Sequence, residues 1–189
     1  MKNAKIVLGV SAGIAVYKAV EILRLLVKEG ADVRVVMSAN AGQFVTPLTF
    51  EALSGNPVYH TLFDSQNSAD MEHIRVAENA DLLVVAPATA SILGKMAHGL
   101  ADDALSNLYL AFKGSVLIAP AMNEGMWGHP AVRENIGLLK SRGLEFVDPE
   151  YGELACGVTG PGSLADTSVI LEKIRSFFNQ RNDLNGMRF

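Results

Sequence analysis

Four short stretches of this 189-residue chain carry almost no polar side chain: Ile6–Val10, Val33–Met37, Leu82–Ala86 and Val116–Ala119. A strand with one wet face alternates polar and apolar residues, whereas a run that is apolar throughout has both faces covered. The first run is closed by Ser11, Ala12 and Gly13. Beyond it Ile14, Tyr17, Val20, Ile22, Leu25 and Leu26 recur at helical spacing up to Gly30, and the second apolar run follows. Strand, turn, helix and strand within forty residues make a βαβ unit, with parallel strands and a right-handed crossover. Glu145–Val147 is a candidate fifth strand, and helical patterns fall at about 43–54, 70–79, 89–97, 101–112, 130–142 and 166–180. The alternation predicts a doubly wound α/β domain with a parallel sheet of the Rossmann-like or flavodoxin-like kind.

With 49% hydrophobic residues the chain is long enough for one sizeable core, and a single domain over 1–180 is expected. The net charge of -4, without blocks of like charge, argues against a nucleic-acid surface or an acidic-membrane surface. Cys156 is the only cysteine, which excludes a disulfide framework and a Cys-rich metal site and points to a reducing, cytoplasmic compartment. The N-terminal apolar run is interrupted by Gly13, Tyr17 and Lys18, well short of the roughly 20 residues of a membrane span, so neither signal peptide nor anchor is read there. Residues 55–69 and 148–165 read as irregular loops. The second surrounds Cys156 with Pro149, Gly152, Gly157, Gly160, Pro161 and Gly162, and long loops in compact domains are often functional lids. Residues 181–189 read as a linker or the start of a truncated further domain, with a frayed tail as the simpler alternative.

Open parallel sheets bind ligands beyond the carboxyl ends of their strands. Four segments stand there: Ser11–Gly13, Ser38–Asn40, Pro87–Ser91 and Pro120–Asn123. Small residues and hydroxyls at three of these ends suit a phosphate, although Ser11 and Ser38 as plain helix caps remain an alternative. Gly9-Val-Ser-Ala-Gly13-Ile lacks the G-x-G-x-x-G fingerprint, which favours a mononucleotide over a dinucleotide. Pro120–Trp127 combines the only Trp with two Met and Asn123, a set able to enclose a flat ring and hydrogen-bond a carboxylate; the alternative is that Met122, Met126 and Trp127 fill core. His73 opens a helix and is either a base or a structural hydrogen-bonder. His60, His98 and His129 lack metal-ligand spacing, so no metal is implied. Asp102-Asp103 is a paired carboxylate or a solvated helix start. Cys156 on its glycine-rich loop is a candidate for chemistry.

Three motifs together resemble the flavin-dependent cysteine decarboxylases, and among these the enzymes that act on phosphopantothenoylcysteine. They are P-x-M-N-x-x-M-W as Pro120–Trp127, the histidine of Glu72-His73-Ile74, and Leu154-Ala-Cys156-Gly-Val-Thr-Gly160-Pro-Gly. The family's P-A-S-A-N-T loop stands as Pro87-Ala-Thr-Ala-Ser91-Ile92, with Ser91 and Ile92 as departures, and Ser163 replaces a basic residue frequent beyond the cysteine motif. The resemblance covers essentially the whole chain. It implies FMN in a pocket lined by Ser11, Gly13, Ser38, Thr89, Ala90, Ser91 and Ala121. It further implies His73 as a base, Asn123 holding the substrate carboxylate with Met126 beside it, and Cys156 as a proton donor on a flap. The implied reaction is decarboxylation of 4'-phosphopantothenoylcysteine to 4'-phosphopantetheine in coenzyme A biosynthesis. A homotrimer or a dodecamer of trimers is implied, as is fusion in many bacterial relatives to a phosphopantothenoylcysteine synthetase that begins with a string similar to Gly186–Phe189. Other activities on this fold are flavin prenyl transfer, which would not need the Asn123 and Cys156 motifs, and peptidyl-cysteine decarboxylation. A non-catalytic regulatory flavoprotein is a further alternative, against which the joint presence of His73, Asn123 and Cys156 argues.

Overall fold

The apolar runs become five parallel strands: β1 (Lys5–Val10), β2 (Asp32–Met37), β3 (Leu82–Ala88), β4 (Ser115–Pro120) and β5 (Glu145–Phe146), in the order β2-β1-β3-β4-β5. The computed structural model describes residues 1–61, 72–153, 157 and 159–185. Because side chains alternate along a strand, each run feeds two cores. Ile6, Leu8 and Val10 of β1, with Leu82, Val84 and Ala86 of β3, pack on one side of the sheet. Val7, Leu83 and Val85 pack on the other. The first side is covered by α1 (Val16–Lys28), α2 (Pro47–Ser54) and α8 (Thr167–Asn185), through residues such as Ile22, Leu26, Phe50, Ile170 and Ile174. The second is covered by α3 (Glu72–Asn79), α4 (Ala90–His98), α5 (Ala104–Ala111) and α7 (Pro130–Ser141), through Val76, Leu93, Leu105 and Ile136. Each such side chain removed from water contributes about 1.5–3 kcal/mol, so both faces are needed to offset the ordering of the chain. Gly9 makes room for α5: a Cβ there would sit 2.5 Å from Leu105 Cδ1.

The doubly wound α/β expectation holds, with corrections in detail. The pattern read as one helix at 43–54 is a 3-10 turn at Ala41–Gln43 followed by α2, whose start is fixed by Pro47 in the first turn. The helix expected from 101 begins at Ala104, because Asp103 caps it. Tyr59 is not in an irregular loop but bridges the outer edge of β2, exchanging hydrogen bonds with Met37 and Val35. The stretch 148–165 contains an antiparallel pair, β6 (Glu150–Glu153) and β7 (Thr159–Ser163). Glycine and proline make these strands poor by propensity, and tertiary bonds hold them instead. Asp166 N donates to Glu150 Oε1 at 2.9 Å, Lys18 Nζ to the Leu164 carbonyl at 3.0 Å, and Met122 N to the Gly162 carbonyl at 2.9 Å. A five-residue helix, α6 (Glu124–Gly128), follows β4. Among the described residues no helix is long and apolar enough to cross a membrane.

Candidate active site

The chain leaves β1 toward β2 on one side and returns as β3 on the other, so the loops beyond β1 and β3 diverge and a crevice opens between them. A cavity of about 220 Å³ lies there, lined by Ser11, Ser38 and Thr89 from the three strand ends and by Ser91, Lys95 and Asp103. A second cavity of about 210 Å³, among Lys5, Asp32, Arg34 and Asn79, lies at the amino ends of β1 and β2. The two are alike in size. The first alone combines hydroxyls with the opening turn of a helix, and chemistry singles it out.

The hydroxyls organise this crevice. Ser11 is buried, and its Oγ donates to the Pro87 carbonyl at 2.7 Å, accepts from Thr89 N at 2.9 Å and stands 3.2 Å from Thr89 Oγ1. Ser38 Oγ accepts from Ala12 N at 3.1 Å. Neither serine caps a helix: Ala15 precedes α1 without a side-chain cap bond, and the turn after β2 starts from Asn40. The capping alternative is therefore replaced by one in which the two serines tie the loops beyond β1, β2 and β3 together. Thr89 does cap, its Oγ1 accepting from Ile92 N at 3.5 Å, so the amino end of α4, with Ala90 and Ser91, opens beside the cavity. Gly13 lets the first loop close on the third, since a Cβ there would stand 3.3 Å from Thr89 Cγ2. Ala121 continues the row of strand ends, its N–H donating to the Ala88 carbonyl at 3.0 Å.

Lys95 and Asp103 are lining residues whose pairing no sequence motif marks. Lys95 follows Ser91 by four residues, which places both on one helical face, and that spacing was the available signal. Lys95 Nζ lies 2.7 Å from Asp102 Oδ1 and 2.7 Å from Asp103 Oδ2. Burial pulls the Lys95 ammonium down, but its hydrogen bonds and charge attraction to both carboxylates outweigh this and hold it above its ordinary value. The hydrogen bond from Lys95 holds the Asp102 carboxyl below the usual range. Asp103 Oδ1 also accepts from Ser106 N at 2.9 Å, and Ser106 Oγ accepts from Asp103 N at 3.2 Å, closing a capping box. The two acids thus mark a helix start, as one of the two alternatives had it, but Asp103 is buried rather than solvated.

Asn123 and Met126 do not line this cavity. Asn123 is exposed and caps α6, its Oδ1 accepting from Gly125 N at 2.8 Å. Met126 is 47% exposed, whereas Met122 and Trp127 pack against the second core, with the Arg133 guanidinium 5.1 Å from the indole centroid. Core filling accounts for Met122 and Trp127 and not for Met126. His73 is the second residue of α3, with its side chain outside the described residues; Cys156, on the connection between β6 and β7, also lies outside them. His129 is a structural cap, its Nδ1 accepting from Ala131 N at 3.2 Å, and His98 Nε2 lies 3.0 Å from Asn135 Oδ1. Among the described residues no group of His, Cys, Asp and Glu could hold a metal ion.

A 2-1-3-4-5 parallel sheet with a hydroxyl-lined crevice at its β1/β3 switch point defines a flavodoxin-like, mononucleotide-binding class of α/β protein. Within that class the Flavoprotein family model matches residues 1–179, and the chain belongs to this family. It is 47% identical over 178 residues to the coenzyme A biosynthesis bifunctional protein CoaBC of Bacillus subtilis, covering 94% of this chain and 44% of that protein. The chain thus spans less than half the length of this curated relative. Among solved structures it is similar to a PPC decarboxylase with a Cys→Ser substitution complexed with pantothenoylaminoethenethiol, with a TM-score of 0.84 and 27% identity, covering 94% of this chain and all of that one. It is also similar to the FMN-dependent cysteine decarboxylase SpaF, with a TM-score of 0.76 and 32% identity, covering 90% and 94% of the two chains.

Proposed function

We propose that this chain binds FMN and decarboxylates 4'-phosphopantothenoylcysteine to 4'-phosphopantetheine, a step of coenzyme A biosynthesis. The observation that supports it most directly is the switch-point cavity tied together by Ser11, Ser38 and Thr89, in a chain 47% identical to a coenzyme A biosynthesis protein. The residues present fit FMN. The hydroxyls of Ser38, Thr89 and Ser91 and the amino end of α4, which Ala90 opens, suit a phosphate monoester, while Ser11, whose hydroxyl hydrogen goes to the Pro87 carbonyl, ties the wall behind them and Gly13 lets the first loop close on the third. Ala121, just beyond β4 and hydrogen-bonded to Ala88, stands next in the row of strand ends, where it is proposed to meet the flavin.

Bound FMN supplies a two-electron oxidation of the substrate's cysteinyl thiol, which gives the electron pair of the leaving carboxylate somewhere to go, and then returns the electrons. His73 acts as the base that takes a proton during the oxidative half. Asn123 orients the substrate carboxylate: capping fixes the direction of its amide, whose NH₂ is a donor of the kind a carboxylate accepts from. Met126 lends apolar surface beside that carboxylate, where desolvation favours its loss as neutral carbon dioxide. Cys156 donates the proton that completes the product. The enethiol in the Cys→Ser PPC decarboxylase complex supports a late role for a cysteine of this kind.

Asn123 and Met126 stand exposed and outside the cavity of their own chain, which fits a site shared between copies. The exposed Ile14, Tyr17, Phe44 and Leu48 offer apolar surface for such an assembly, a homotrimer or a dodecamer of trimers. The partial coverage of CoaBC supports a fused phosphopantothenoylcysteine synthetase beyond residue 180, and a single cysteine fits a reducing, cytoplasmic setting. The test is to incubate the purified chain with phosphopantothenoylcysteine and follow carbon dioxide loss by mass. A yellow protein, absorbing at about 450 nm as flavins do, that releases carbon dioxide supports the proposal. A colourless protein that cannot be reconstituted overturns it, and a yellow one active only on a peptide with C-terminal cysteine moves the chain to the peptidyl branch.

A further inference from the structure

Neither the family match nor the proposed chemistry says why the stretch after Cys156 repeats glycine at 160 and 162. Both glycines belong to β7 and both are buried. They face different neighbours. A Cβ on Gly160 would stand 2.6 Å from Glu124 Cδ and 2.7 Å from its Oε2, the far end of a flexible, exposed side chain. A Cβ on Gly162 would collide with the carbonyl oxygen of Met122, well inside the 3.0 Å that real Cβ atoms keep. That neighbour is backbone and cannot swing aside. Gly162 also has φ +132°, a conformation open to glycine and strained for other residues.

This contact ends on one bond, Met122 N–H to the Gly162 carbonyl at 2.9 Å, immediately before Asn123. The β7 side of the bond is itself fixed. Lys18 Nζ on α1 donates to the Leu164 carbonyl at 3.0 Å, and Glu150 Oε1, on the strand paired with β7, accepts from Asp166 N at 2.9 Å. On the other side, α6 packs against β7. The loop that presents Asn123 therefore leans on a braced strand, through an approach that only a residue without Cβ permits.

We propose that Gly162 is a positioning residue for decarboxylation, acting through Met122 to set the place of Asn123. The inference rests on Asn123 holding the substrate carboxylate, as proposed above. Misplacement of about 1 Å costs about 100-fold in rate, so Gly162→Ala should lower kcat/KM about 100-fold while the FMN content of the holoenzyme stays at the wild-type level. Phosphopantothenoylcysteine should bind more weakly to Gly162→Ala, whereas phosphopantetheine, which lacks the carboxylate, should bind as to wild type. Gly160→Ala, whose methyl meets only the movable Glu124 carboxylate, should stay near wild-type activity. On an Asn123→Ala background Gly162→Ala should add little, because both act on one contact.

Full additivity of the two substitutions, or wild-type kinetics in Gly162→Ala, overturns the inference, as does an equal loss in substrate and product binding. If Gly162→Ala does not fold, hydrogen exchange of the FMN-loaded wild-type protein decides: the Met122 amide is protected if the bond operates, and exchange at the rate of an open loop overturns it. Wild-type protein without decarboxylase activity would instead refute the proposed function, so the two failures are distinguishable.

Discussion

Asp103 lines the cavity and holds the framework behind it through two separable bonds, and two substitutions take them apart. Oδ1 closes the amino end of α5 on Ser106 N, and Oδ2 accepts from Lys95 Nζ. Asp103→Asn keeps the cap, since Asn and Asp serve alike there, and removes the charge. A charge-assisted bond is worth about 1.5–3 kcal/mol in general. Lys95 keeps Asp102 and is 22% exposed, so solvent screening brings the loss down to about 1 kcal/mol. Asp103→Ala loses that and the cap as well, which costs about 1–2 kcal/mol at a buried helix start, for a total of about 2–3 kcal/mol. In a domain of this size each kcal/mol lowers Tm by about 2–4 °C. The expected falls are thus about 2–4 °C for Asn and about 4–12 °C for Ala. They should be measured on FMN-free protein by thermal unfolding, because bound ligand adds stability of its own. Equal losses in the two variants would show that the cap contributes nothing, and no loss in either would refute the joint role of Asp103.

Four further outcomes are open to measurement. The Asp102 carboxyl is held low by Lys95, so its stabilisation is present above about pH 4 and fades as pH falls through the lowered value; in urea unfolding, the gap between wild type and Asp102→Asn should hold above about pH 4 and narrow as the pH is taken below it. Raised pKa at Lys95 means that its own contribution is complete below about pH 10 and lost only as pH climbs beyond, so the same gap should stay level from about pH 5 to 9. With Asn123 on the substrate carboxylate as proposed, Asn123→Asp would set a second negative charge against it and should reduce turnover far more than flavin content, checked by assay and absorbance on one preparation; parallel loss would make Asn123 a cofactor ligand. Cys156→Ser should retain FMN and accumulate an enethiol by mass spectrometry, and unimpaired turnover would remove the thiol from the mechanism.

Sequence periodicity was a faithful guide wherever burial dominates. Val7, Leu83 and Val85 had to face one way and Leu8, Leu82 and Val84 the other, and no polar residue competes with that demand. It was a poor guide to β6 and β7, because Gly152, Gly160, Pro161 and Gly162 carry no hydrophobic alternation and their order comes from Met122, Lys18 and Asp166 elsewhere in the chain. In the site, the hydroxyls at the strand ends were legible from composition and topology. Their partners were not, since Ser11 meets Pro87 and Thr89 across 76 and 78 residues. Asn123 was legible as a motif, but its position outside the cavity depends on the five-residue helix it caps, which is too short to leave a periodic signal.

The ties among Ser11, Ser38, Ala12 and Thr89 are all made by the polypeptide to itself. The receptacle is consequently shaped before any guest arrives, and little of the guest's affinity is consumed in ordering walls. Walls held in this way favour a guest whose outline already matches them over one that would need them to move.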